Sequence, residues 1–132
     1  MIFLFRGKEV RMKIENLLEN IGMNFKTIDE MGNIKIIKVP NKLHICFVSQ
    51  KGTQFLIDRD TFDYLDTNSL PYCLLLHDLV QNKYFYLPLR KDNNWIKSCF
   101  LGCDKEEIYL GKQVLNAQIG LEDLKQKLSK YK

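Results

Sequence analysis

Leu43-His44-Ile45-Cys46-Phe47-Val48-Ser49-Gln50-Lys51, followed by Gly52-Thr53, is the stretch whose reading decides the fold. Side chains of an extended chain alternate. Leu43, Ile45, Phe47, Ser49 and Lys51 therefore share one side, and His44, Cys46, Val48 and Gln50 the other. The first six residues are mostly apolar on both sides, as in a strand inside a sheet that is covered on both faces. Ser49, Gln50 and Lys51 then turn polar, and Gly52 accepts backbone angles closed to bulkier residues. The polar end of a buried strand is where α/β folds often place their sites, which makes Lys51 a candidate site residue. The simpler account is that the strand has reached the surface and Lys51 is solvated.

Upstream, Val10, Ile14, Leu17, Leu18 and Ile21 recur at helical spacing. They predict a helix over 7–21, ended by Gly22. Residues 23–28 read as a short strand, Asp29-Glu30-Met31-Gly32 as a turn and 33–39 as a second strand. Pro40-Asn41-Lys42 leads tightly into the central strand, so three strands form a meander. Downstream, 54–57 is briefly extended. Asp58 or Asp60 caps a short helix carrying Phe62, Tyr64 and Leu65, which Asn68-Ser69-Leu70-Pro71 breaks. The continuous apolar run 72–77 is a second buried strand, and 84–87 returns beside it. From Tyr84-Phe85-Tyr86 into Leu87 the alternation places Phe85 and Leu87 in the core and the tyrosines at the rim. Residues 95–101 are ambiguous, 108–110 form a short strand, and 120–131 a final amphipathic helix. The expected fold is α/β: a central mixed sheet flanked by helices.

The chain has 132 residues, enough for one domain with a real core and too few for two ordinary ones; with no linker in view, 1–132 reads as a single domain. It is 45% hydrophobic and 27% charged, the composition of a soluble globular protein. Twenty Lys and Arg against 16 Asp and Glu give +4, which permits a nucleic-acid partner without demanding one. Cys46 and Cys73 lie in apolar strands. Cys99 and Cys103 stand four apart without a second pair or a nearby histidine, a weak zinc spacing. Reduced thiols in a cytoplasm are the simpler account. Met1-Ile2-Phe3-Leu4-Phe5-Arg6 is too short for a membrane span or a signal-peptide core. It is either an edge strand or sequence preceding a translation start at Met12. His44 and His77 read as hydrogen-bonded strand residues rather than ligands.

Helix–strand–strand–strand–helix–strand resembles the PD-(D/E)XK superfamily of restriction-endonuclease-like nucleases. Phe47-Val48-Ser49-Gln50-Lys51-Gly52-Thr53 is similar to the third-strand end of its small bacterial branch. Further similarity runs through Phe55-Leu56-Ile57, Phe62-Asp63-Tyr64-Leu65, residues 71–78 and residues 84–89, and the whole covers roughly Glu9 to Leu128. The resemblance implies an α-β-β-β-α-β core. It also implies an aspartate on the second strand and a glutamate two before the lysine, together holding one or two magnesium ions. Hard cations take carboxylate oxygens, and such a metal activates water and steadies charge on phosphate. Here Asn33 and Ser49 stand where the acids are expected, and Lys51 alone remains. Asp29 and Asp58, with Glu30 and Asp60, are the carboxylates near enough in sequence to serve as displaced ligands. Each is more simply a turn or cap residue.

Three functions follow. The first is a non-catalytic member of the nuclease fold that binds nucleic acid or a protein, with Lys35, Lys38, Lys42 and Lys51 as a basic stripe if the second and third strands pair. The second is a magnesium- or manganese-dependent nuclease with migrated carboxylates. The third is a small interaction or inhibitor module of a mobile element or defence system, marked by an exposed apolar patch or a homodimer. None involves a membrane.

Overall fold

A computed structural model of the chain describes residues 13–50, 54–88 and 106–132. Lys51, Gly52, Thr53, Cys99, Cys103 and the segments 1–12 and 95–101 lie outside the described residues.

The first described helix, α1 (Ile14–Asn20), closes as the sequence predicts. Gly22 takes φ +77°. Its N–H donates to the Glu19 carbonyl, and that of Met23 donates to the Leu18 carbonyl at 2.9 Å. This pair of bonds is the Schellman ending that a left-handed glycine allows. Strands β1 (Lys26–Met31), β2 (Ile34–Val39) and β3 (Leu43–Ser49) follow as an antiparallel meander. Its turns hold Gly32 at φ +58° and Asn41 at φ +65°, positions suited to glycine and asparagine.

Strand β4 (Phe55–Asp58) and helix α2 (Arg59–Thr67) cross over to β5 (Tyr72–Asp78), which lies parallel to β3. Parallel neighbours need such a crossover. β6 (Lys83–Pro88) returns antiparallel to β5, and two-residue β8 (Gln118–Ile119) closes that side. The main sheet runs β1-β2-β3-β5-β6-β8, mixed as expected. β4 pairs instead with β7 (Glu107–Leu110) in a separate two-stranded sheet. A 3-10 turn (Lys112–Ala117) and helix α3 (Leu121–Ser129) complete the described chain.

β3 and β5 are central because both their faces are covered. On one face Ile37, Leu43, Ile45, Cys73 and Leu75 meet Ile14, Leu17 and Leu18 of α1 and Leu124 and Leu128 of α3. On the other, Ile36, Cys46, Val48, Leu74 and Leu76 meet Phe62 and Leu65 of α2 and the small sheet through Phe55, Ile57 and Ile108. Each such aliphatic side chain, fully buried, contributes about 1.5–3 kcal/mol.

Two expectations are corrected. The first strand begins later than residue 23, and Asp29-Glu30-Met31 belongs to it rather than to a turn. All six β1 residues are exposed, so the strand carries no apolar alternation to announce it. Tyr84 is buried, 6% exposed, because the α1 and α3 face of β6 is covered as well.

Candidate functional site

The parallel pair β3 and β5 brings two polar strand ends together, with Ser49 in register with His77. The Gln50 N–H donates to the His77 carbonyl at 3.0 Å. The Ser49 N–H donates to the Asn33 carbonyl at 2.8 Å. In return, Asn33 Nδ2 donates to the Ser49 carbonyl at 3.1 Å and to the Leu56 carbonyl at 3.4 Å. Two flanking carbonyls orient the amide, since only its NH2 end can donate to both. The structure thus places Asn33 against Ser49. Lys51, the third member of the predicted group, lies outside the described residues.

Behind this end, His77 is 2% exposed. Its Nε2 lies 2.9 Å from Asn82 Oδ1, and its ring stacks on Tyr84 with centroids 4.5 Å apart. It is the hydrogen-bonded core histidine the sequence suggests. Asp78 shapes the turn after β5, its Oδ1 accepting from the N–H groups of Val80 and Gln81. In front is a cleft of about 320 Å³ lined by Gln50, Gln54 and Asp78 over Phe55 and Phe85. The cleft offers two amides and a carboxylate already held by its own turn.

Of the four carboxylates considered as displaced ligands, all but Glu30 face another opening. Asp29, Asp58 and Asp60 line a groove between β1 and α2. Asp58 is the N-cap of α2: Oδ2 accepts from the Thr61 N–H at 3.1 Å and Oδ1 from the Thr61 hydroxyl at 2.6 Å. Asp29 Oδ1 accepts from the Glu30 N–H at 2.8 Å. Among the described residues, no three His, Cys, Asp or Glu side chains are arranged to hold a metal ion.

β2 and β3 do pair, but Lys35 and Lys38 point to opposite faces of β2, so they share no stripe. Lys35 lies on the α1 side, where its Nζ meets Glu15 Oε2 at 2.7 Å and Glu30 Oε2 at 3.8 Å. Burial pushes the Glu15 carboxyl up, but Lys35, its own backbone and nearby lysine charge outweigh this and hold it below the usual value. Lys38 is in register with His44 on the other face. Lys42 is exposed in the turn before β3.

The expectation that His44 is hydrogen-bonded is corrected. The residue is fully buried, and neither ring nitrogen has a hydrogen-bond partner. Tyr64 packs against it edge-on, centroids 5.6 Å apart. Burial, then the charge of Lys38, pushes its pKa down. The alternation in the strand marked His44 as inward-facing; nothing local marked it as unpartnered.

Comparison with protein-family models, curated proteins and solved structures gives no match. Among the described residues no helix is long and apolar enough to cross a membrane.

Proposed function

We propose that the chain is a non-catalytic binding protein, built on the element order of the restriction-endonuclease-like nucleases, whose partner is a protein. The observation that supports this reading is the Asn33 amide, which donates to the Ser49 and Leu56 carbonyls. A divalent cation needs oxygen donors, preferably anionic, at about 2.0–2.6 Å. At Asn33 an N–H2 group faces the backbone instead, tying the hairpin turn to β3 and β4. The side chain at the family's aspartate position works here as a structural clamp. Ser49 adds no charge. A protein is preferred over nucleic acid because Lys35 is ion-paired on one face and Lys38 lies on the other. Phosphate recognition needs cations gathered on one surface.

The test is incubation of the purified protein with plasmid DNA, single-stranded DNA and RNA in magnesium or manganese, with a duplex-binding titration at two salt concentrations. No cleavage and no salt-sensitive binding are expected. Cleavage that Lys51→Ala abolishes would overturn the non-catalytic reading. Tight, salt-sensitive duplex binding would overturn the choice of a protein partner.

A further inference from the structure

The groove between β1 and α2 has the features of an anchoring site. Ile28, Met31 and Tyr64 line it and are 38%, 61% and 40% exposed, three of the seven large hydrophobic side chains most open to solvent among the described residues. Ile36 forms its floor. Asp29, Asp58 and Asp60 are its charged lining, with no described Lys or Arg among the lining residues. That is a local excess of acid in a chain of net charge +4. β1 alongside is the edge of the main sheet, exposed throughout and bulged between Thr27 and Asp29.

These observations discriminate among occupants. The groove encloses about 180 Å³. Small-molecule pockets are usually larger, about 300–1,000 Å³, so this volume fits a side chain better than a free ligand. Acid at the rim repels nucleic acid. A second copy docked isologously would set one acidic patch against an identical acidic patch. A cationic, extended segment meets no such conflict. Its backbone can run along the β1 edge, and a long basic side chain can lay its apolar stem on Ile36 and Met31. The cationic head then lies toward Asp60 and the face of Tyr64.

We propose that this groove anchors a basic, extended segment of a partner protein through one inserted Lys or Arg side chain. The proposal rests on the reading of the chain as a protein-binding module and adds where and by what chemistry it binds.

The test uses the full chain and a fluorescein-labelled peptide of alternating Arg and Val, with a Glu-for-Arg peptide as control, read by anisotropy. The Arg peptide is expected to bind and the Glu peptide not. Asp60→Lys, an exposed change, is expected to weaken binding at least about fivefold, and Met31→Glu similarly. High salt is expected to weaken it by a comparable factor. Equal affinity for the two peptides, or indifference to both substitutions, overturns the proposal. A dimer that Met31→Glu dissociates overturns it in favour of a second copy. If the peptide fails and the nuclease assay is also negative, only the groove assignment falls. Metal-dependent cleavage would overturn the underlying reading independently.

Discussion

The side-chain amide of Asn33 and the backbone carbonyl of Ser49 are joined at 3.1 Å, while the Ser49 N–H donates back to the Asn33 carbonyl at 2.8 Å. The two positions expected to carry acids in a nuclease of this resemblance therefore hold each other. Asn33→Asp, the change that would restore an acid, replaces a donor with a carboxylate facing two carbonyl oxygens. Asn33 is half-buried, so the expected cost at neutral pH is about 1 kcal/mol, the lower end of the range for a polar group left unsatisfied. The same repulsion raises the new carboxyl's pKa in the folded state. The penalty is thus present at neutral pH and shrinks in acid as the group protonates. Urea denaturation of both proteins at neutral and mildly acid pH measures this. Equal midpoints at neutral pH would remove the clamp.

Asp58 separates capping from metal binding. Both its oxygens are engaged by Thr61 at the start of α2. Asp58→Ala is expected to destabilise by about 0.5–2 kcal/mol, the worth of an N-cap, and Asp58→Asn by less. Millimolar magnesium or manganese is expected to leave the melting temperature of the wild type unchanged. A metal-induced rise that Asp58→Ala abolishes would revive the migrated-ligand alternative.

His44 makes the fold acid-sensitive from the histidine range downward. In the folded chain its pKa is pushed below the usual 6.5 by burial and by Lys38. The unfolded chain therefore takes up the proton first as pH falls, and stability declines below about pH 6.5, by at most about 1.4 kcal/mol per pH unit. Glu15, held low by Lys35, contributes stability that is lost only through the carboxylate range, so the His44 decline begins at higher pH than that of Glu15. His44→Phe is expected to flatten the decline between about pH 7 and 5 and to leave that below about pH 4.5 in place. An unchanged slope in the upper window would show that His44 finds a partner on protonation.

What was legible in the sequence follows from where the physics is local. The apolar runs of β3 and β5 and the glycine after α1 report their own structure, because burial on both faces and a left-handed turn leave marks at the residue itself. β1 was legible as a strand but not in its limits, since an exposed edge strand can be charged at Asp29 and Glu30. The opposite facing of Lys35 and Lys38 was implicit in the two-residue period of a strand, once its limits are known. The clamp was not implicit anywhere: Asn33 bonds carbonyls 16 and 23 residues away. The groove joins β1 to the start of α2, elements that only the crossover brings side by side.

Cys46 and Cys73 illustrate how neighbouring strands can keep two thiols apart. Ile45, not Cys46, is in register with Cys73, so the two cysteines point to opposite faces, Cys46 toward α2 and Cys73 toward α1 and α3. Both are fully buried. Burial, with the charge of Asp58, pushes the Cys46 thiol up to about 12, and burial pushes Cys73 up as well. At mildly alkaline pH only about one Cys46 in ten thousand is then a thiolate, the form that reacts. Both residues are expected to resist a maleimide in native buffer and to label fully in urea, and no disulfide between them is expected under mild oxidant. Peptide mass mapping after a timed quench reads each residue separately. Rapid native labelling of Cys46 would mean that the α2 face opens far more readily than its packing implies, and the cap at Asp58 would be the first place to look.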